Sequence, residues 1–277
     1  MTDESHRVSA WRPLPCRGPD AQLFVIGDVH GQAGALGAAL DAIGRVPGAG
    51  LQRRLVFLGD LIDRGPDSLG AVRLAMGAAD RAKVDTVTLL PGNHELMLID
   101  GLLDPQAFMG DWLDNGGDEV IREADPGCTA RKLADLAEIA RAAFDPGFIS
   151  AMTVGSTFYQ ARDLLLVHAG LAPSVDPGTF LSQGRFGSSG EHWAWIREPF
   201  LDWEFGWGPD RSWIVVHGHT PAVTRRTEPD GFRRAADRVG THWRLCLDAG
   251  AAYGLPQVAW AEFGPDRYRV GLARQDV

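Results

Sequence analysis

A strand, loop and helix pattern repeats three times in the first third of the chain. Each copy starts with an apolar run, and the three runs are LFVIGD (23–28), RLVFLGD (54–60) and VTLLPGN (87–93). Apolar runs that alternate with amphipathic helical stretches are typical of buried strands in an α/β fold. The runs end in Asp28, Asp60 and Asn93. Because ligands bind outside the carboxyl ends of such strands, these three side chains are predicted to meet at one sheet edge.

Five short blocks rich in His, Asp and Asn run in order through the chain. They are GDVHG (27–31), GDLIDRGP (59–66), GNHE (92–95), VHAG (167–170) and HGHT (217–220). Four of them contain a His and none contains a Cys. Imidazole, carboxylate and amide ligands suit Mn, Fe, Zn or Co better than a metal that prefers thiolates. One shared metal site explains the set better than five unrelated turn or core residues do.

Asp60 lies in the second block, where its carboxylate can bridge two ions. Two ions about 3.5 to 4 Å apart can hold a phosphate together with an attacking water whose pKa they lower. The blocks therefore favour in-line hydrolysis of a phosphoester by a hydroxide held between two metal ions.

The composition indicates an ordinary globular protein. A chain of 277 residues with 45% hydrophobic content can bury a sizeable core. A formal net charge of −9 argues against general affinity for nucleic acid, which relies on Lys and Arg. We see no apolar run near the roughly 20 residues of a membrane span, no secretory signal and no cysteine framework. We therefore expect a cytoplasmic protein without a nucleic-acid or membrane partner.

The chain divides into a polar leader at residues 1–20 and a single domain at 21–277. Residues 101 to about 160 change in character, and the runs DWLDNGGDEVIREAD and ARKLADLAEIARAAF predict a helical cap beside the site. The last third again contains runs typical of strands. Six of the nine tryptophans lie between residues 193 and 243. We expect them to pack in the core, with an aromatic wall beside the site as the alternative.

The five blocks in this order resemble the calcineurin-like metallophosphoesterases, specifically the bacterial branch of the PPP-type serine/threonine protein phosphatases. The resemblance covers residues 23 to about 250. It implies a four-layer metallophosphatase fold, in which a two-layer β-sandwich is flanked by helices. It also implies a dinuclear metal site at the carboxyl ends of the strands.

The resemblance assigns a role to most residues of the blocks. Two divalent ions, Mn or else Fe and Zn, would be held by Asp28, His30, Asp60, Asn93, His168 and His219. His217 would be a neighbour or a donor behind these ligands. His94 would be the general acid, and Asp63 would fix its tautomer and favour the protonated ring. Arg64 and Arg197 would bind the substrate phosphate through their planar guanidinium groups.

The substrate is open to more than one interpretation. The resemblance implies a phosphorylated protein, although LDAGAAYGLP (247–256) lacks the signature of eukaryotic phosphoprotein phosphatases. The alternative is a small phosphoester, in a symmetrical dinucleoside polyphosphate hydrolase that shares GDxHG and GNH. Asp63 and Glu95 favour the protein phosphatases. A noncatalytic protein that binds phosphorylated partners is a third hypothesis, which the intact set of site residues opposes.

Overall fold

The computed structural model describes residues 6–185, 190–223 and 229–275. The strands in these ranges are β1 His6–Val8, β2 Arg12–Pro13, β3 Gln22–Ile26, β4 Arg53–Phe57, β5 Thr86–Leu89, β6 Phe158–Ala161, β7 Leu164–Val167, β8 Ile214–His217, β9 Asp237–Arg238, β10 Arg244–Cys246, β11 Gln257–Phe263 and β12 Arg267–Arg274. The helices are α1 Ala33–Arg45, α2 Ser68–Met76, α3 Ala78–Ala82, α4 Asn93–Leu103, α5 Pro105–Trp112, α6 Asp118–Ala124, α7 Leu133–Ala143, α8 Pro146–Val154, α9 Pro177–Leu181, α10 Pro229–Ala236 and α11 Val239–His242. A π-helical turn lies at Leu113–Gly117 and a 3-10 turn at Ala251–Tyr253.

Two sheets form the centre of the molecule. In the described ranges, seven strands make the first sheet in the order β1-β12-β11-β3-β4-β5, with β2 also paired to β12. Strands β3, β4 and β5 are parallel, whereas β11 runs antiparallel to β3. The other five described strands make the second sheet in the order β6-β7-β8-β10-β9, with β7, β8 and β10 parallel. Each sheet therefore combines parallel strands with antiparallel neighbours.

Side chains of the parallel strands alternate between separate apolar layers. Leu23 and Val25 of β3 belong to the layer between the sheets, whereas Phe24 and Ile26 belong to the layer under the helices. In β7, Leu165 and Val167 face a third cluster on the outer side of the second sheet. Burial on both faces explains why these strands read as continuous apolar runs. The expected α/β architecture of two sheets flanked by helices is confirmed.

The third cluster contains or contacts all six late tryptophans. Trp193 and Trp207 are buried in it, and the tryptophans packed against it are Trp195, Trp203, Trp213 and Trp243. Two of the six are thus core residues and four are half-buried at its rim, and the ring of Trp195 also lies 6.4 Å from that of His219.

The N-terminal segment differs from the predicted loose leader. Strands β1 and β2 both pair with β12, Leu14 is buried, and the Gly18 N–H donates to the Pro265 carbonyl. From residue 6 onward this segment belongs to the first sheet, so the leader prediction is wrong there. Residues 1–5 lie outside the described ranges. The pairing escapes sequence reasoning because the partner strand lies at the other end of the chain and β1 and β2 are too short to show a period.

Helices α5 to α8 occupy most of the segment that is predicted to be a helical cap. Residues 158–161, at its end, instead form β6 of the second sheet. Met109, Trp112 and Phe148 share one apolar layer with Phe24 of the first sheet. The helical segment is thus packed directly on the main core. None of the helices in the described ranges combines the length and apolar character that crossing a membrane requires.

Candidate metal centre

Polar side chains follow the carboxyl ends of parallel strands in both sheets. Asp28 follows β3, Asp60 follows β4, and Asn93 follows β5 as the first residue of α4. His168 follows β7 and His219 follows β8. These five residues and His30 are all buried. The structure therefore brings the six predicted metal ligands to the adjoining edges of the two sheets.

Asp60 lies between two groups of side chains. Its Oδ2 is 3.4 Å from Nε2 of His30, and its Oδ1 is 3.4 Å from Nε2 of His168. The donor atoms of His30, Asp60 and His94 lie within 4.8 Å of one another. The same holds for Asp60, His168 and His219. Because Asp60 belongs to both groups, the arrangement can hold two metal ions that share one carboxylate.

Main-chain carbonyls fix the tautomers of the candidate histidine ligands. A carbonyl can only accept, so Nδ1 of His168 donates to Leu58 at 2.9 Å and Nε2 of His219 donates to Trp195 at 3.1 Å. The other ring nitrogens then present lone pairs towards the amide oxygen of Asn93, at 3.0 and 2.8 Å. Acceptor atoms that converge without a donor between them suit a cation.

His30 follows the same pattern on the other side of Asp60. Its Nδ1 donates to the carbonyl of Ile62 at 3.0 Å, which leaves the lone pair of Nε2 facing the carboxylate of Asp60. With this third hydrogen bond from a ring to a carbonyl, His30 and His168 present acceptor nitrogens to the two different oxygens of the Asp60 carboxylate.

Asp28 has one carboxylate oxygen without a partner. Its Oδ2 accepts the backbone N–H of His219 at 2.9 Å, whereas its buried Oδ1 has no hydrogen-bond partner in the described part of the chain. Burial, reinforced by the charge of Asp248, raises the pKa of Asp28. A buried, unpaired carboxylate oxygen is costly unless a cation lies beside it. The donor set therefore fits divalent metal ions.

His94 and Asp63 form a buried pair beside Asp60. Nδ1 of His94 is 2.7 Å from Oδ2 of Asp63, and the indole N–H of Trp112 donates to both carboxylate oxygens at 3.1 and 3.0 Å. Burial lowers the pKa of His94 to about 3 and raises the pKa of Asp63. The carboxylate orients the ring as expected, but burial opposes the protonated ring that the sequence reasoning favours.

Glu95 ties the loop after β4 to the start of α4. Its buried carboxylate accepts the backbone N–H groups of Asp60, Leu61 and Gly92 at 2.8, 2.7 and 2.8 Å. Asp60 has φ 51°, and Asp63 and Arg64, further along the same loop, have φ 72° and 66°. Left-handed backbone at these L residues is unfavourable by itself. The hydrogen bonds of Glu95 therefore help to hold a strained loop in place.

The two predicted phosphate-binding arginines are exposed, in contrast to the ligands. Nε of Arg64 donates to the carbonyl of Asn115 at 3.1 Å, and the Arg64 charge adds to the effect of burial in lowering the pKa of His94. Burial, His168 and then Arg197 lower the pKa of His219. Both guanidinium groups thus act on the buried cluster and remain open to solvent.

His217 does not join the candidate ligands. A guanidinium only donates, so Nε2 of His217 accepts from Arg244 at 3.3 Å while Nδ1 donates to the carbonyl of Gly218 at 2.9 Å. Burial and the Arg244 charge lower the pKa of His217 to about 3. The ring is therefore neutral, and both nitrogens are engaged away from the two metal-binding groups.

Sequence reasoning misses Asp248 and Trp112. Asp248 is buried two residues after β10, and its Oδ1 accepts the N–H of Gly250 at 2.8 Å. In HWRLCLDAG the strand residues are followed by Asp248, as the earlier strands are followed by Asp or Asn, so the sequence contains a signal for Asp248. For Trp112 there was none, because nothing in the local sequence shows which acceptor an indole N–H reaches.

The two-sheet fold gathers buried Asp, Asn and His side chains at its strand ends, in groups that can hold divalent metal ions. A family model described as calcineurin-like phosphoesterase matches residues 21–241. The chain therefore belongs to the calcineurin-like phosphoesterase family.

Relatives with two kinds of name match most of the chain. Serine/threonine-protein phosphatase 1 of Salmonella typhimurium is 30% identical over 234 residues, which are 84% of this chain and 88% of the relative. The asymmetrical bis(5'-nucleosyl)-tetraphosphatase PrpE of Bacillus subtilis is 26% identical over 214 residues, which are 73% of this chain and 80% of the relative. A solved structure provisionally named a diadenosine tetraphosphatase aligns with a TM-score of 0.51 at 19% identity, over 91% of this chain and 94% of that chain. This last likeness concerns the fold alone.

Proposed function

We propose that this protein removes phosphate from phosphorylated serine and threonine side chains of proteins. Membership of the family supplies the reaction class, which is hydrolysis of phosphoesters with divalent metal ions. The choice of phosphoserine and phosphothreonine as substrates rests on the buried pair of His94 and Asp63, which are 2.7 Å apart beside Asp60. A serine or threonine alkoxide is a poor leaving group, so its departure requires a positioned proton donor.

Two metal ions would lie on either side of Asp60, and His94 of the first group would serve as proton donor and not as a ligand. Asp28 and His30 would hold the first ion, Asp60 would bridge, and the second ion would be held by Asn93, His168 and His219. The converging lone pairs and the unpartnered Oδ1 of Asp28 support this assignment. Bound there, such ions polarise the phosphate and lower the pKa of water. Mn is our working choice, with Fe or Zn as alternatives.

Arg64 and Arg197 would bind the phosphoryl oxygens. A planar guanidinium offers two parallel N–H groups, and hydrogen bonds to an anion are stronger than neutral ones. The anchoring of Arg64 on the Asn115 carbonyl leaves its remaining N–H groups for the substrate. Both arginines are exposed, so a substrate that arrives from solvent can contact them.

His94 would deliver the proton to the leaving oxygen from Nε2, since Nδ1 faces Asp63. Burial makes the imidazolium a strong acid, but one that is sparsely populated at neutral pH. The negative charges of Asp60 and Glu95 offset part of that penalty, and the contact with Asp63 keeps the ring pointing in one direction.

Hydrolysis of dinucleoside polyphosphates is the second candidate. Its support is the tetraphosphatase of Bacillus subtilis and the symmetrical tetraphosphatase of Enterobacter sp., 40% identical over 76 residues, or 27% of this chain. In that reaction the leaving group is a phosphate, which needs less help from a proton donor. The buried pair of His94 and Asp63 and the broader match to the protein phosphatase support the first candidate.

The test is a parallel assay on protein stripped with a chelator and reloaded with Mn. Phosphate release from phosphoserine and phosphothreonine peptides is measured beside nucleotide release from diadenosine tetraphosphate at equal concentrations. We expect peptide turnover with little nucleotide release. Preferential cleavage of the dinucleotide, to two ADP or to AMP and ATP, would replace the proposal with the dinucleotide hydrolase. Silence on both with metal bound would favour a binding role.

A further inference from the structure

We infer that Trp112 is a positioning residue, which holds the Asp63 carboxylate and through it the His94 ring in the orientation for proton transfer. The inference rests on the proposed function, because the orientation of His94 has a chemical consequence only when the ring acts as general acid. Trp112 is the last residue of α5, and none of the proposed ligands or arginines comes from helices α5 to α8.

The contacts of Trp112 are specific for a carboxylate. Its side chain is fully buried, and its single N–H lies 3.1 Å from Oδ1 and 3.0 Å from Oδ2 of Asp63. A donor placed between both oxygens fixes the plane of the carboxylate as well as its position. The Asp63 backbone N–H donates to Oγ of Ser68 at 3.0 Å. Asp63 is therefore held through its side chain and its main chain, and Oδ2 is aimed at His94.

Packing alone does not require this hydrogen bond. Trp193, another fully buried tryptophan, donates its N–H to the carbonyl of Gln183, and the N–H of Trp207 has no partner in the described ranges. A buried indole usually finds some acceptor, and a main-chain carbonyl suffices for stability. At Trp112 the acceptor is instead the buried carboxyl group that orients His94.

The turn that follows Trp112 also holds Arg64. The Asn115 carbonyl accepts from Nε of Arg64 at 3.1 Å, and the Gly116 carbonyl accepts its backbone N–H at 3.2 Å. Gly116 has φ 110°, and a Cβ there would lie 2.6 Å from Cγ of Arg64. A Cβ at Gly117 would lie 2.3 Å from the Trp112 ring. One short segment, residues 112–117, thus contacts both the proton-donor pair and an arginine proposed to bind phosphate.

The experiment compares Trp112→Phe with wild type on two esters that differ in their leaving group. A phosphoserine peptide releases an alkoxide and depends on general acid catalysis, whereas p-nitrophenyl phosphate releases a stabilised phenolate that does not. We expect kcat for the peptide to fall about 10-fold while kcat for p-nitrophenyl phosphate changes by less than about 2-fold. KM and bound metal should stay unchanged. Trp260→Phe, in the same apolar layer, is the matched control and should affect neither ester.

A double-mutant cycle checks that Trp112 acts through Asp63. In an Asp63→Asn background, Trp112→Phe should produce no further loss of peptide turnover, because the orienting carboxylate is already gone. If Trp112→Phe does not fold, Trp112→benzothienylalanine replaces the N–H by sulfur at nearly constant shape and gives the same comparison.

Three results would overturn the inference. These are equal losses on both esters, a loss shared by Trp260→Phe, and unchanged peptide turnover in a folded Trp112 variant. Silence of wild type on both esters would overturn the proposed function, and this inference with it. Turnover of both esters by wild type with a uniform loss in the variant would overturn the inference alone.

Discussion

A Cβ atom at Gly218 would lie 1.8 Å from Oδ1 of Asp28. The loop that carries His219 therefore passes the Asp28 carboxylate at a distance that only glycine allows. Gly92 has the same relationship to Asp60, where a Cβ would lie 2.1 Å from Oδ1. The glycines of these blocks thus let the main chain approach the carboxylates of the candidate metal centre.

Gly218→Ala should displace the Asp28 carboxylate and weaken metal binding at least about 10-fold, since misplaced ligands and their supports typically cost that much in affinity. Metal content after dialysis, measured by elemental analysis, checks this expectation. Gly240→Ala is the matched control, because its Cβ would meet no atom within 4 Å. Unchanged metal binding in Gly218→Ala would contradict the assignment of Asp28 as a ligand.

Two histidine substitutions should separate metal binding from proton transfer. His168→Ala should lose metal, because it removes a lone pair that faces Asn93 and Asp60. His94→Asn should keep both ions but lower kcat on a phosphopeptide by about 10² to 10⁴-fold, the usual contribution of a general acid. Metal analysis and turnover are measured on the same samples. Full peptide turnover by His94→Asn would contradict the proposed mechanism.

Glu95→Gln should destabilise the fold by about 1 to 2 kcal/mol, because one amide oxygen cannot accept all three backbone N–H groups. Burial and the Asp60 charge raise the pKa of Glu95, so the removal of its charge offsets part of the loss. Urea denaturation of the apo protein measures the change without any contribution from bound metal. Glu138→Gln is the control, since the Glu138 side chain is 76% exposed. A Glu95→Gln variant as stable as the control would show that the loop after β4 needs no support from this carboxylate.

Asp100→Asn should make the protein more stable at neutral pH. Burial in α4 raises the pKa of Asp100 to about 6, above the value of about 3.9 for an unfolded chain. The folded state thus binds the proton more tightly, so protonation of Asp100 stabilises the fold. This contribution is complete below about pH 4 and is lost as the pH rises through about 6. We expect the free energy of unfolding to rise by about 1 kcal/mol at about pH 7.5, a value already reduced for the partial exposure of Asp100. Below about pH 4 we expect no change. Unfolding curves across this range check it, and a gain independent of pH would contradict it.

The strand ends are the part of the site that the sequence predicts best. A continuous apolar run followed at once by Asp or Asn marks a buried parallel strand, and the geometry of parallel sheets then brings Asp28, Asp60 and Asn93 to one edge. His168 and His219 follow the same rule in the second sheet. Asp248 obeys it as well, although it lies outside the five blocks.

Contacts between distant segments could not be predicted. The pairing of β1 with β12 joins the two ends of the chain, and the hydrogen bond from Trp112 to Asp63 joins an inserted helix to a strand-end loop. Each depends on how complete elements pack and not on a local pattern. The protonation of His94 cannot be predicted from the sequence for a similar reason, since the burial that lowers its pKa is a tertiary property.

The most direct test is a titration of chelator-stripped protein with Mn, in which bound metal and phosphopeptide turnover are measured at each step. The account predicts that turnover is absent without metal, rises with loading, and reaches its plateau at two ions per chain. A plateau at one ion, or full turnover by the metal-free protein, would contradict a dinuclear centre that shares Asp60.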